Sequence, residues 1–136
     1  MSADRKRSHA EERLRDEKVA WLTTVRRDGQ PQSSPVWFLW RDGEVIVYSR
    51  PTTQKLRNLQ ANSKAAVHLR DIDDGSDIVS LEGEAVIDER YPQAAAIPEY
   101  VEKYRSMIAD LKMDPAGFAR EYSMPIRIRP TKLRIE

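Results

Sequence analysis

Two Asp-Gly pairs, each between runs of apolar and β-branched residues, constrain the fold of this chain more than any other feature. Asp28-Gly29 follows the run Val19–Val25, and Asp42-Gly43 separates Ser33–Trp40 from Glu44–Ser49. An Asp-Gly pair between apolar runs is the strongest short-range signal for a β-hairpin. We therefore predict three antiparallel strands joined by two tight turns, which is a β-meander.

The remainder of the chain indicates further strands and a few helices. We expect a short helix over Thr53–Asn62, strands over Ala65–Arg70 and Ile78–Ile87, helices within residues 92–122, and one or two closing strands over Met124–Ile135. Gly83 interrupts the fifth strand, which indicates a bulge or a close backbone approach. Roughly six antiparallel strands with few helices predict a small barrel.

Composition limits the classes of function. The 136 residues suit one domain, and 23 Lys and Arg against 22 Asp and Glu give a net charge of +1, not the strong basic excess typical of nucleic-acid binding. Without cysteine there is no disulfide and no thiol nucleophile. The longest apolar run, Val36–Trp40, is far below the ~18 residues of a membrane span. We expect a cytoplasmic protein with a charged tail or helix over residues 1–18 and one domain over residues 19–136.

The segment Arg50–Leu59 contains a local electrostatic conflict. Thr52 or Thr53 is the expected N-cap, so Lys55 and Arg57 fall in the first turn and a half, where the helix dipole disfavours cations. Neither threonine is followed by the Glu or Gln of a capping box. An anion, typically a phosphate, would resolve the conflict. The alternative is a short surface helix whose basic residues pair with the acidic loop.

The segment Gln32–Trp40 has a second unusual pattern, because both of its faces are apolar from Val36 onward. One face would contact a core, and the other a partner or a ligand. Pro35 cannot donate to a strand ladder, so we expect the backbone groups of Ser34 and Val36 to be free for the edge of a planar heterocycle. An ordinary dimer-interface strand with an irregular start is the alternative, and the two interpretations are compatible.

No metal site or activated nucleophile is expected from the remaining motifs. Four acidic residues lie at the spacing of a calcium loop: Asp71, Asp73, Asp77 and Glu82. Ser76 stands where that loop needs glycine, so we interpret the segment as a solvated hairpin turn. His9 and His68 each lack a partner at ligand spacing. If the protein is an enzyme, a cofactor supplies the chemistry.

Taken in order, these segments resemble a known family. The strand with Thr23-Thr24, the segment Gln32–Trp37, the two Asp-Gly turns and the helix Thr53–Leu59 are similar to flavin and deazaflavin oxidoreductases with the pyridoxamine 5'-phosphate oxidase-like split β-barrel. The resemblance covers nearly the whole chain and is strongest to the F420-dependent branch. It implies a mainly β (α+β) fold, a six- to seven-stranded antiparallel split β-barrel of the FMN-binding type with a few peripheral helices.

The resemblance also implies a homodimer with two cofactor clefts at the subunit interface. The ring of the cofactor would lie along Ser33–Trp37 and its phosphate at Ser49–Asn58, while the partner would contribute from Asp77–Ser80 and from the helix around Tyr100. The cofactor-binding residues that it implies are Gln32, Ser34, Pro35, Val36, Trp37, Ser49, Arg50, Thr53, Lys55, Arg57, Asn58, Ile78 and Ser80.

The function implied by the resemblance is hydride transfer between F420 and a small conjugated or quinone-like substrate, with no metal, membrane or nucleic-acid partner. An FMN-dependent oxidoreductase and a non-catalytic binder of flavin, deazaflavin or haem are the alternatives. FMN and F420 share a ribityl phosphate, so the phosphate site does not separate them. The anionic tail of F420 would use Arg5, Lys6, Arg7 and Arg50. The short C-terminal segment Pro130–Glu136 argues against pyridoxal phosphate synthesis.

Overall fold

The computed structural model of the chain describes residues 2–71 and 74–136. Its elements are α1 (Ala3–Asp16), β1 (Ala20–Val25), β2 (Pro31–Val36), β3 (Leu39–Arg41), β4 (Glu44–Ser49), α2 (Gln54–Ala61), β5 (Lys64–Leu69), β6 (Val79–Ile87), a 3-10 turn (Ala94–Ala96), α3 (Pro98–Asp110), α4 (Pro115–Glu121) and β7 (Met124–Ile135). Asp73, one member of the calcium-like spacing, lies outside the described residues.

The seven strands form one antiparallel sheet in the order β2-β1-β5-β6-β7-β4-β3. Strands β2 and β3 occupy its opposite edges, although only Trp37 and Phe38 separate them along the chain. Three residue steps span at most about 11 Å, so the sheet must curl until its two edges approach each other. The result is a curled half-barrel with four helices, and the predicted mainly β (α+β) split-barrel fold is confirmed.

Both predicted hairpins form, but the predicted meander is wrong. β1 pairs with β2 and β3 pairs with β4, and the second turn has positive φ at both Asp42 and Gly43, as a type I′ turn requires. The run predicted as one strand, Ser33–Trp40, instead breaks after Val36. At the break the Phe38 N–H donates to the Tyr104 hydroxyl at 2.8 Å, so it is taken out of the sheet.

Strand β4 is buried on both faces and separates two apolar clusters. Val45 and Val47 belong to the main cluster inside the curled sheet, which α1 and α2 also cover. Ile46 and Tyr48, on the opposite face, pack in a second cluster beneath α3 and α4. Alternating residues of one strand thus connect the barrel core to the helical layer, and this arrangement positions the site described below.

The N-terminal helix packs against the barrel. We expected a charged tail or helix over residues 1–18; the helix α1 begins at Ala3 and places Ala10 and Leu14 in the main cluster. The Arg13 side chain, 5% exposed, donates to the backbone oxygens of Asp77 and Arg70, both at 2.6 Å. The helix is therefore attached to both ends of the segment that joins β5 and β6. The division of the chain at residue 18 stays a prediction.

Gly83 lies at an irregularity in the sheet. The register between β6 and β7 shifts between Glu82 and Gly83, and a Cβ at Gly83 would lie 2.5 Å from the Arg129 backbone oxygen. The predicted bulge with a close backbone approach is confirmed. The shift lets the long strand β7 pair with β6 along its length and with β4 at its start.

Candidate functional site

A cavity of about 340 Å³ opens between the end of β2, the end of β4, the start of α2 and the helices α3 and α4. It is lined by Pro35, Val36, Trp37, Tyr48, Ser49, Arg50, Thr53, Lys55, Tyr100, Leu111, Phe118 and Tyr122. A second cavity of about 200 Å³ shares Thr53 and Lys55 with it and is also lined by Thr24, Gln32, Ser33, Ser34, Gln54 and Asn58. We call the two cavities together the Lys55 cleft.

All but three of the predicted binding residues line the Lys55 cleft, and their role toward a ligand stays a prediction. Arg57 lines a neighbouring groove instead, where its guanidinium donates to Thr52 O and Gln54 Oε1, both at 2.8 Å. Ser80, and Ile78 just before β6, lie across the sheet, because β1 and β5 separate β6 from β2. Within one chain these two residues do not reach the cleft.

The start of α2 forms the polar end of the cleft. Thr53 caps the helix, since its Oγ1 accepts a long hydrogen bond of 3.4 Å from Leu56 N and exchanges one of 2.8 Å with Ser49 Oγ. The first turn contains no acidic residue. The backbone N–H groups of Gln54 and Lys55 have no partner among the residues that the structure describes. The cap therefore leaves donors at this end of the cleft, where the helix dipole favours an anion.

Lys55 is a half-buried cation without a counter-ion. No carboxylate in residues 2–71 or 74–136 lies within ion-pair distance of its ammonium, and burial, with Arg50 as a second cause, lowers its pKa. Arg50 differs, because it pairs with Glu121 at 2.5 Å and lies over the Tyr122 ring at 5.0 Å from its centroid. Lys55 is thus the charge in the cleft that an anionic ligand would neutralise.

The backbone of β2 presents different groups from those we expected. Arg26 N–H donates to Gln30 O, so Arg26 and Gln30 form a hydrogen-bonded pair. The Leu22–Ser34 pair lies four steps further along the same register. Hydrogen-bonded and non-bonded pairs alternate along an antiparallel ladder. The backbone groups of Ser34 and Val36 therefore face β1, and the expectation that they are free is wrong. The outward-facing backbone groups belong to Ser33 and Pro35. Proline has no N–H, but at this position an N–H would not have bonded to β1, so no hydrogen bond of the sheet is lost.

Asn58 fixes α2 against the sheet. Its Nδ2 donates to Thr24 Oγ1 at 2.9 Å and to Gln32 Oε1 at 3.0 Å, while its Oδ1 accepts from Gln54 Nε2 at 2.8 Å. Both amide hydrogens are used and the residue is 2% exposed. Asn58 therefore positions the helix that carries Lys55, and this role needs no ligand.

The opposite wall of the cleft is aromatic. Trp37 stacks on Tyr104 at a centroid distance of 4.9 Å and on Phe118 at 5.4 Å, and Phe118 stacks on Tyr122 at 4.4 Å. From the sequence we did not predict that the aromatics of α3 and α4 lie at the cleft of their own chain. The available signal was the pairing of aromatics four positions apart, Tyr100 with Tyr104 and Phe118 with Tyr122.

A separate, larger cleft contains arginines that are paired with carboxylates. This cleft of about 700 Å³ between α1, the β3–β4 turn and β7 contains Arg7 and Arg127. Arg127 pairs with Glu44 at 2.9 Å and with Asp88 at 3.1 Å. Arg7, predicted to hold a cofactor tail, lines this cleft and not the Lys55 cleft.

The described residues contain neither a metal-ligating cluster nor a helix suited to span a membrane. Among residues 2–71 and 74–136, no three metal-ligating side chains converge on one point. Of the helices in that part of the chain, none combines the length and the apolar character that a membrane span needs.

Comparison with known proteins identifies the family. The family model described as pyridoxamine 5'-phosphate oxidase matches residues 7–134. An F420 reductase structure is 23% identical, with 91% of this chain and 94% of that chain covered and a TM-score of 0.66. HutZ, the haem storage protein from Vibrio cholerae, is 16% identical, with 99% of this chain and 95% of that chain covered and a TM-score of 0.64. A FAD-binding protein from Mesorhizobium loti is 18% identical, with 98% of this chain and 92% of that chain covered and a TM-score of 0.63.

At these identities the solved structures show a shared fold alone, and no curated protein sequence matches the chain. The family match covers most of the length, and the seven-stranded curled sheet agrees with it. The resemblance drawn from the sequence is confirmed at this level. The chain belongs to the pyridoxamine 5'-phosphate oxidase family.

Proposed function

We propose that this protein is an oxidoreductase that binds a flavin-type phosphate cofactor in the Lys55 cleft and acts on a small conjugated or quinone-like substrate. F420 is the preferred cofactor and FMN the alternative. The active species is a homodimer in which the partner completes the cleft. When bound, the cofactor would supply the hydride. The chain itself would bind and orient the cofactor and the substrate and shield them from water.

The observation that carries this proposal is the uncompensated Lys55 ammonium at the start of α2. Around it are the hydroxyls of Ser49 and Thr53 and the N–H groups of the first helical turn. The ammonium and the helix N–H groups are donors that a phosphate monoester accepts from, whereas the Ser49 hydroxyl already donates to Arg50 O. The residues present therefore fit the phosphate of the proposed cofactor.

The aromatic wall supports a flat conjugated ring next to that phosphate. Trp37, Phe118 and Tyr122 line the cleft and stack on one another, with interplanar angles of 9° and 18°. Aromatic side chains that line a cleft contact a planar ring by stacking or edge-on and exclude water from it. The two ends of the cleft thus match the two ends of a flavin or deazaflavin phosphate.

A basic groove favours F420 over FMN. The groove that holds Arg57 has a volume of about 580 Å³ and contains Arg26 and Arg27 as well. It shares Gln54 and Asn58 with the Lys55 cleft, so an anionic extension of the cofactor would run into it. FMN has no such extension. Haem is less well supported, because neither His9 nor His68 lines the cleft in the described part of the chain.

The test is a binding titration of FMN and F420 against wild type and Lys55→Met. Methionine keeps an apolar stem and removes the charge, so we expect at least a tenfold weaker affinity for both cofactors, about 1.4 kcal/mol or more. Arg57→Met is the matched control on the same helix. It should weaken FMN binding by less than about threefold, because its guanidinium is engaged outside the cleft.

Equal affinity of wild type and Lys55→Met for both cofactors would contradict the proposed site. Tighter binding of FMN than of F420 would instead favour the FMN alternative. Oxidation of the reduced cofactor by a panel of quinone acceptors then separates an enzyme from a binding protein. A protein that binds the cofactor and turns over no acceptor is a non-catalytic binder.

A further inference from the structure

Tyr100 lines the Lys55 cleft, and its hydroxyl has no hydrogen-bond partner in the described residues. We propose that it donates a hydrogen bond to a carbonyl oxygen of a flat conjugated ring in the aromatic end of the Lys55 cleft. The inference rests on the proposed function in one respect, that this cleft receives such a ring. It goes further by naming the acceptor that the ring must carry and the residue that recognises it.

Tyr100 is held rigidly at the centre of the aromatic wall. The residue is 1% exposed and lines the cleft. Its ring contacts Tyr48 edge-on at a centroid distance of 5.1 Å, and it lies 4.9 Å from Tyr104 and 6.0 Å from Phe118. Because rings surround it, the hydroxyl has little freedom to turn toward another partner.

The hydroxyls of Tyr48 and Tyr104 have hydrogen-bond partners, whereas that of Tyr100 has none in the described residues. The Tyr48 hydroxyl donates to Pro92 O at 2.6 Å, and the Tyr104 hydroxyl donates to Lys18 O at 2.7 Å. No residue in 2–71 or 74–136 forms a hydrogen bond with the Tyr100 hydroxyl.

The Tyr100 hydroxyl also keeps contact with the cavity. The fully enclosed side-chain polar atoms without a partner in the described chain are Glu17 Oε1 and Gln93 Oε1. The Tyr100 hydroxyl is not among them, so it keeps a small exposed area, and the cavity that Tyr100 lines is the Lys55 cleft.

When a ligand fills the cleft, the hydroxyl loses its access to water, so a ligand that supplies an acceptor binds more tightly than one that does not. Burial raises the pKa of Tyr100, which keeps the group protonated and able to donate. The complementary group is an acceptor without a formal charge, since Glu121 already neutralises Arg50 at this side of the cleft. A ring carbonyl meets that requirement, and it can belong to a second small molecule or to the ring of the cofactor.

Binding to the cofactor-free protein tests the proposal. 2-Methyl-1,4-naphthoquinone represents a second molecule, lumiflavin represents the cofactor ring without its phosphate, and 2-methylnaphthalene is the carbonyl-free reference. We expect Tyr100→Phe to weaken binding of at least one carbonyl compound about three- to tenfold and to leave 2-methylnaphthalene unchanged. Tyr48→Phe is the matched control, because Tyr48 lines the same cleft and its hydroxyl already donates to Pro92 O.

The results show whether the carbonyl belongs to a second molecule or to the ring of the cofactor. A loss for the quinone alone assigns the carbonyl to a second molecule, and a loss for lumiflavin alone assigns it to the cofactor ring. Unchanged binding of both would mean that a water satisfies the hydroxyl, and the proposal would be wrong.

If Tyr100→Phe does not fold, the binding of the same compounds to the wild-type protein still tests the proposal. It must prefer a carbonyl compound over 2-methylnaphthalene, and absence of that preference contradicts the proposal. Because these probes carry no phosphate, their result is independent of the Lys55 titration that tests the proposed function.

Discussion

Two half-buried lysines, Lys55 and Lys103, illustrate how the environment of one side chain indicates its role. Burial lowers the pKa of both. The Lys103 ammonium donates to Phe38 O at 2.9 Å and lies 4.0 Å from the centroid of the Phe38 ring. The Lys55 ammonium has no such partner in the described residues. Lys103 is therefore a structural lysine, and Lys55 is the one that is available to a ligand.

Lys103 should give the fold a measurable pH dependence. Burial, with Lys18 as a second cause, lowers its pKa from 10.5 to about 8. Between these values the unfolded chain binds a proton that the folded chain has lost, so the free energy of unfolding rises with pH. Relative to Lys103→Met, wild type should gain about 1–2 kcal/mol from pH 8 to pH 10, after a discount for partial exposure.

Urea unfolding of both proteins across that pH range measures the effect. Lys132→Met, on an exposed part of β7, is the control and should follow wild type at every pH. If the stability of wild type and of Lys103→Met changed in parallel with pH, Lys103 would titrate at its ordinary value.

At the scale of elements, α1 shows that a highly charged helix can be firmly attached. Its buried face consists of Ala10, Arg13 and Leu14. The Arg13 guanidinium donates to two backbone oxygens and to Glu17 Oε2 at 2.5 Å, and it pairs with Asp77 Oδ1 at 3.2 Å. One side chain therefore joins α1 to both ends of the β5–β6 connection.

Removal of this guanidinium should loosen α1. Arg13→Met keeps the apolar stem but leaves buried oxygens without donors, so we expect the free energy of unfolding to fall by about 2–4 kcal/mol. Arg15→Met, on the exposed face of the same helix, should change it by less than about 0.5 kcal/mol. Denaturant unfolding of the two variants measures the difference. Equal stabilities would show that the Arg13 contacts contribute nothing to the fold.

At the scale of the whole molecule, the curl of the sheet assembles the cleft from segments far apart in the chain. The Lys55 end comes from β4 and α2, and the aromatic end comes from the β2–β3 break, α3 and α4. Ile78 and Ser80 remain outside it, on the far side of β1 and β5. In the proposed homodimer they would reach the cleft of the partner.

Mixing two inactive variants tests this shared cleft. Lys55→Met removes the ammonium, and Ser80→Glu adds a negative charge where the partner would approach the phosphate. In random heterodimers one of the two clefts contains both native residues, so about a quarter of all sites should recover FMN binding. Each variant alone should bind weakly. No recovery after subunit exchange would place Ser80 outside the partner's cleft, whereas full binding by Ser80→Glu alone would contradict its role directly.

The sequence by itself determined the local features of this protein. Asp42-Gly43 predicted the second hairpin, Gly83 predicted the bulge, and Thr53 with Lys55 predicted a basic helix start. These features follow from backbone preferences and helix electrostatics within a few residues, which any context must respect. The family resemblance added the split β-barrel fold.

Only the tertiary structure decided which side chains meet. The contact between Phe38 and Tyr104, 66 residues apart, breaks the predicted long strand and sends β3 to the opposite edge of the sheet. The pairing of Arg50 with Glu121 leaves Lys55 as the free charge, and α3 brings the Tyr100 hydroxyl to the same cleft. Such contacts depend on packing between distant segments, which the spacing of residues along the chain does not encode.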